Sequence, residues 1–174
     1  MIALSNVIMT KIAFIGGGNM AQAMISGLIN NKDTSRAFSP SDIHVFEPNP
    51  DCARVLVEKF KVNVVPSNED AVKNADVVIF AVKPQIMNPV ATQLASIVQQ
   101  FKPLIISIAA GIKIDDLNTW LGGNVAVVRT MPNTPALIGQ GATGMFANTH
   151  VSSAQKELAD RIIQSISAKM YLIF

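Results

Sequence analysis

Charge is scarce in this 174-residue chain: charged residues make up 15% and the formal net charge is only +2. No basic cluster stands out, so nucleic acid is not an expected partner. The sole cysteine, Cys52, excludes an internal disulfide and a multi-cysteine metal site. It reads as a buried or neutral thiol, and the expected compartment is a reducing cytoplasm. The two histidines, His44 and His150, are isolated, so neither a Ser–His–Asp set nor metal-ligand spacing can be composed, and no metal is expected. No apolar run approaches the roughly 18 to 20 residues that span a bilayer, so no membrane contact is expected. Met1 to Thr10 lacks the basic start and small-residue cleavage site of a signal peptide. Residues 1–10 read as an N-terminal extension, with Met9 as an alternative start just ahead of the first strand.

What the chain has in quantity is apolar residues, 49% of the total. A parallel sheet covered on both faces needs such a composition. One face normally covered by something outside the chain would need it too. The length suits one domain, residues 11–174, able to bury a real core.

Apolar runs alternate with helical patterns. Strands are expected at Ile12–Ile15, Ile43–Glu47, Val62–Val65, Val77–Ala81, Leu104–Ile108 and Val125–Arg129. Helices are expected near Asn19–Asn31, Pro50–Phe60, Asn68–Asn74, Ile86–Gln99 and Ile114–Leu121. Asp51 suits a helix start, and Ser67 suits the N-cap before Asn68. Alternation with short connections predicts an α/β fold: a Rossmann-type, doubly wound, mostly parallel sheet with helices on both faces. Asp33 to Asp42 is polar and reads as a surface-loop insertion. Met131 to Gly144 carries two prolines and three glycines, which predicts an irregular loop. A strand at Gly144–Ala147, an amphipathic helix at Ser153–Ser167 and a strand at Met170–Phe174 follow. The chain stops on an apolar run, as the front portion of a longer protein would.

The most informative stretch is Lys11 to Ala21, an apolar run that breaks into Gly16-Gly17-Gly18 and then a helix. Gly16, Gly18 and Ala21 fit G-x-G-x-x-G/A, the fingerprint of a dinucleotide-binding βαβ unit. Gly16 permits the sharp turn, Gly18 lets a pyrophosphate lie on bare backbone, and Ala21 lets helix and strand pack closely. The free N–H groups and positive dipole end of the helix then hold the phosphates. A glycine-rich turn that binds nothing is the competing account.

After the second strand such a unit places an acidic residue by the adenosine ribose. Glu47 is that residue here, 29 residues beyond Gly18, against a usual spacing of about 20; the Asp33–Asp42 loop accounts for the excess. A carboxylate there pairs with the 2′-OH of NAD and repels the 2′-phosphate of NADP. No Lys or Arg follows until Arg54, which suits a phosphate only if it points back. A solvated Glu at a strand end is the alternative. Val77–Gln85 is a buried strand that ends in Lys83 and Pro84, a cation and a stiff exit where ligands sit in open sheets; a snorkelling rim lysine is the alternative. Ile105–Gly111 repeats the pattern, with small residues that admit a ring system or serve turn packing. In Arg129–Pro135 two prolines fix the backbone around Asn133 and Thr134. A purely structural turn competes with that reading.

Four segments, Gly16-Gly17-Gly18-Asn19-Met20-Ala21, Ala81-Val82-Lys83-Pro84-Gln85, Ser107-Ile108-Ala109-Ala110-Gly111 and Met131-Pro132-Asn133-Thr134-Pro135, closely resemble pyrroline-5-carboxylate reductase in order and spacing. The resemblance runs from Lys11 to about Phe174. It implies reduction of 1-pyrroline-5-carboxylate to L-proline, the last step of proline synthesis, with NADPH or NADH as hydride donor. By resemblance Ile15, Gly16, Gly17, Gly18, Asn19 and Met20 form the pyrophosphate turn. Glu47 and Asn49 lie by the ribose, and Asn68 lies near the adenine. Ala81, Val82, Lys83 and Pro84 line the cofactor, with Ile108, Ala109 and Ala110 close to the nicotinamide. Asn133, Thr134 and Pro135 enclose the substrate side. Glu47 replaces a usually neutral residue, which bears on the family's common NADPH preference.

The family's helical C-terminal domain, with its Ser-Gly-Ser-Gly-Pro-Ala-Tyr and Gly-Gly-Thr-Thr segments, has no counterpart in this sequence. By resemblance that domain holds the substrate carboxylate, carries the catalytic groups and builds the homo-oligomer. The expectation is therefore a cofactor domain that binds dinucleotide with little or no turnover. A related 6-phosphogluconate- or hydroxyacid-type dehydrogenase, which shares the first fingerprint only, and a non-catalytic NAD(P)-binding module are the competing readings.

Overall fold

A computed structural model describes residues 10–31, 38–132, 141–164 and 167–172. Its strands are β1 (Ile12–Ile15), β2 (Ile43–Phe46), β3 (Asn63–Val64), β4 (Val77–Phe80), β5 (Leu104–Ser107), β6 (Val127–Pro132), β7 (Gly141–Ala147) and β8 (Ser167–Leu172). The helices are α1 (Asn19–Ile29), α2 (Pro50–Phe60), α3 (Asn68–Val72), α4 (Pro84–Phe101), α5 (Ile114–Trp120) and α6 (Ser153–Gln164). The strands form one sheet in the order β3-β2-β1-β4-β5-β6-β7-β8. Every neighbouring pair is parallel except β6 with β7. This is the doubly wound α/β architecture that the alternation of apolar and helical segments predicts.

All four residues of β1, of β4 and of β5 are buried, because side chains alternate between two covered faces. Ile12 and Phe14 face one core with Met24, Ile25 and Leu28 of α1, Leu56 and Phe60 of α2, and Ile162 and Ile163 of α6. Ala13 and Ile15 face the other, with Val72 of α3, Leu117 of α5 and Met87, Ala91, Leu94 and Val98 of α4. The four α4 residues recur at helical spacing and form one stripe. Burying each of its larger side chains contributes about 1.5–3 kcal/mol.

Helix starts follow local chemistry. Asn49 caps α2, its side-chain oxygen accepting from the amides of Asp51 at 3.0 Å and Cys52 at 3.1 Å, with Asp51 in the first turn. Ser67 caps α3 by accepting from the Asp70 amide at 3.0 Å, as expected from sequence. Pro84 begins α4, two residues ahead of the expected start, at a position where its missing N–H costs no helical bond. Helices α1 and α3 close two residues early, and β2 ends at Phe46, so Glu47 lies just past the strand.

The last third departs further. Met131 and Pro132 belong to β6 and Gly141–Gly144 to β7, paired Met131↔Gly144 and Pro132↔Thr143, so the flanks of the expected irregular loop are a ladder. Pairing with β5 stops at Arg129, which leaves this end of β6 an edge on that side, where proline is tolerated. Asn133, Thr134, Pro135 and residues 33–37 of the Asp33–Asp42 loop lie outside the described residues, and Pro40–Asp42 forms a single 3-10 turn. Helix α6 stops at Gln164, and Ser167, expected in the helix, is the first residue of β8.

The part of the sheet made by β6 and β7 is covered by α6 on the face of Val128 and Met145. On the other face Arg129, Met131 and Phe146 lie beyond α5. Met131 and Phe146 are two of four exposed large hydrophobic side chains among the described residues, which marks this face as uncovered.

Candidate functional site

Parallel strands in register bring their ends to one rim. Ile15 pairs with Phe46 and with Phe80, and Phe80 with Ser107, so the segments after β1, β2, β4 and β5 emerge side by side. That rim is where ligands sit in open α/β sheets. It gathers Ile15–Met20, Glu47, Ala81–Pro84 and Ile108–Ala110. Asn68 joins them, because β3 runs parallel to β2 and α3 follows it.

The three glycines have three different reasons to be glycine. Gly16 has φ +98°, a conformation that L side chains rarely adopt, and a Cβ there would lie 2.9 Å from the Ala81 carbonyl oxygen. Its amide donates to the Phe46 carbonyl at 3.0 Å, which pins the turn between the ends of β2 and β4. A Cβ on Gly17 would lie 2.5 Å from Leu56 Cδ1 and 3.1 Å from Glu47 Cβ. Above Gly18 nothing lies within 4 Å, so its bareness serves an approaching group rather than the fold.

Gly18 is also the N-cap of α1. The helix has no side-chain cap and no acidic residue in its first turn. Its first helical bond runs from the Gln22 amide to the Gly18 carbonyl at 2.9 Å, leaving the amides of Asn19, Met20 and Ala21 without a helical acceptor. Free amides at the positive end of a helix, beside an open glycine, are what a pyrophosphate needs. The residues present therefore fit a dinucleotide.

Glu47 is not a solvated strand-end carboxylate. It is half-buried, and its two oxygens accept from the backbone amides of Gly17 at 2.7 Å and Asn49 at 2.8 Å. Arg54 does not point back toward it but pairs with Asp51 at 3.2 Å in solvent. Asn49 is exposed, with its side-chain oxygen committed to the α2 cap. Asn68 is buried (8% exposed), and its Oδ1 has no hydrogen-bond partner, an acceptor at the rim that a ligand amine could satisfy. Lys83 is exposed at the start of α4.

Two residues that hold the turn escape sequence reasoning. Gln22 Nε2 donates to the Gly17 carbonyl at 3.0 Å, five residues back and just ahead of the helix, and Leu56 backs Gly17 from α2. The first reaches out of the helix into the turn, and the second is a tertiary contact, so neither carries a helical-spacing signal.

A cavity of about 490 Å³ lies beside the start of α5 on the uncovered sheet face and includes Lys113, Arg129, Phe146 and Asn148. Arg129 is paired with Ser107, so one wall adjoins the rim, three strands along the sheet from β1. Among the described residues no cluster of three His, Cys, Asp or Glu side chains is placed to hold a metal ion, and no helix is long and apolar enough to cross a membrane.

Residues 11–111 match the family described as NADP oxidoreductase, coenzyme F420-dependent, and the chain belongs to that family. It is 42% identical over 162 residues to pyrroline-5-carboxylate reductase of Pseudomonas aeruginosa, covering 93% of this chain and 57% of that protein. Among solved structures, a pyrroline-5-carboxylate reductase from Coxiella burnetii superposes with a TM-score of 0.89 at 37% identity, over 95% of this chain and 59% of the other. Pyrroline carboxylate reductase of Plasmodium falciparum, with NADP bound, gives a TM-score of 0.80 at 27% identity, over 95% and 58%. The chain thus spans a little over half the length of these relatives.

Proposed function

We propose that residues 11–174 are the NAD(P)-binding unit of an imine reductase that converts 1-pyrroline-5-carboxylate to L-proline. The observation that carries the reading is the open Gly18 face over the uncapped start of α1. The extent and level of identity to the Pseudomonas aeruginosa reductase supply the reaction. A bound NADPH or NADH would supply hydride to the imine carbon.

In this reading Ile15, Gly16, Gly17, Gly18, Asn19 and Met20 hold the pyrophosphate through backbone amides. Glu47 and Asn49 flank the ribose, and the orphaned Asn68 oxygen accepts from the adenine amine. Ala81, Val82, Lys83 and Pro84 line the middle of the dinucleotide, with the Lys83 ammonium offsetting phosphate charge. Ile108, Ala109 and Ala110 offer small side chains to the nicotinamide, while Asn133, Thr134 and Pro135 close the substrate side. Substrate positioning, the proton for the imine nitrogen and the homo-oligomer contacts belong to polypeptide of the kind by which the relatives exceed this chain. Holding the reacting groups together supplies about 7–11 kcal/mol of a typical barrier, so this chain alone should bind dinucleotide with little turnover. A reducing cytoplasmic setting suits the lone Cys52 thiol.

Titration of the reduced dinucleotides by their own fluorescence tests the cradle. Gly18→Val should leave the unfolding midpoint close to that of the parent, because the space is open. It should weaken binding by about tenfold or more, roughly 1.4 kcal/mol. Undiminished binding in that variant would remove the turn from the site.

A further inference from the structure

We infer that the locked carboxylate of Glu47 makes this site select the dinucleotide without a 2′-phosphate, NAD(H) over NADP(H). The inference rests on the reading of the glycine turn as a dinucleotide cradle and names which dinucleotide it takes. An acidic side chain after the second strand is a general partner for ribose hydroxyls. A free glutamate can swing aside to admit a phosphate, and the geometry here removes that freedom.

Both oxygens accept from backbone amides, Gly17 at 2.7 Å and Asn49 at 2.8 Å. Swinging the side chain out would break two charge-assisted hydrogen bonds at once. It would also strip the Gly17 amide of the acceptor it has here. Each oxygen keeps a lone pair for a hydroxyl donor, so the locked group still serves a ribose.

The groups that could instead greet a 2′-phosphate are already engaged. Arg54, the first cation after β2, is paired with Asp51. The Gly17 amide is held by Glu47, and the start of α2 is already capped by Asn49. A phosphate dianion would meet a fixed negative charge, and Arg54 could offset it only by leaving its exposed pair with Asp51. The family description names NADP, and the Plasmodium falciparum structure holds NADP. This chain would then differ from them in cofactor choice.

The test is a pair of fluorescence titrations, NADH and NADPH, on the parent chain, Glu47→Gln and Glu47→Ser. The parent should bind NADH at least about tenfold more tightly at low salt, and the ratio should shrink as salt screens the repulsion. Glu47→Gln keeps an acceptor oxygen and loses the charge, so it should gain NADPH affinity and bring the ratio near unity. Equal or tighter NADPH binding by the parent overturns the inference and leaves the cradle standing. So does an unchanged ratio in both variants, which would make Glu47 a brace for the turn and nothing more. If neither dinucleotide binds the parent, the cradle itself fails. The parent ratio and its salt dependence need no variant to fold.

Discussion

The β1–β5 portion of the sheet and the β6–β8 portion are built on different terms. In the first, each strand is parallel to its neighbours and helices lie on both faces, so side chains of β1, β4 and β5 are buried whichever way they point. In the second, the chain reverses between β6 and β7, and α6 covers only the face of Val128 and Met145. Continued parallel crossover buries both faces and also brings strand ends to one rim, which is how the glycine turn, Glu47 and Ala81 come together. Reversal ends both effects. The site and the most completely buried core therefore share a cause, while the exposed Met131 and Phe146 mark where that cause stops.

Truncating one phenylalanine on each side sharpens the contrast most. Phe14 is 0% exposed between α1 and β1's neighbours, and Phe14→Ala should cost about 3–5 kcal/mol in urea unfolding. Phe146 is 44% exposed, so Phe146→Ser should change stability by about 0.5 kcal/mol or less while reducing self-association in sedimentation. Similar costs at the two positions would break the comparison, because they would mean that the second face is covered after all.

The smallest effect lies on α6. Burial, and then the neighbouring Glu157 charge, push the Asp160 carboxyl up from its ordinary range. A carboxyl raised in the folded state binds its proton more tightly there than in the unfolded chain. Its unfavourable contribution is therefore full above the raised folded value and is relieved as pH falls through that value toward the ordinary one. Asp160→Asn should raise the urea midpoint slightly at pH 7, with the gain shrinking on acidification. A gain that grows on acidification would contradict the direction of the shift.

The fold was legible where local rules and tertiary packing agree. Strand β1 and helix α2 have the expected bounds because an apolar run meeting glycines, and Pro50 behind a capping Asn49, leave the backbone few alternatives. The glycine turn was legible for the same reason. Prolines and glycines concealed the ladder at Met131 and Pro132, since a strand at a sheet edge tolerates residues that read as a loop. Glu47 was identified by position, but its lock on Gly17 depends on a turn 30 residues earlier in sequence and leaves no local trace. The orphaned oxygen of Asn68 was hidden in the same way, because burial of a polar side chain depends on what packs over it.

The reversal at β7 also decides where a reporter can be hung on this molecule. Strand β8 runs with β7 and so against β1, ending at the rim opposite the glycine turn. It also lies five strand spacings away, roughly 24 Å sideways. A dye carried at the end of β8 would ride clear of an arriving dinucleotide yet within energy-transfer range of its reduced ring, a built-in ruler for occupancy that leaves the turn untouched.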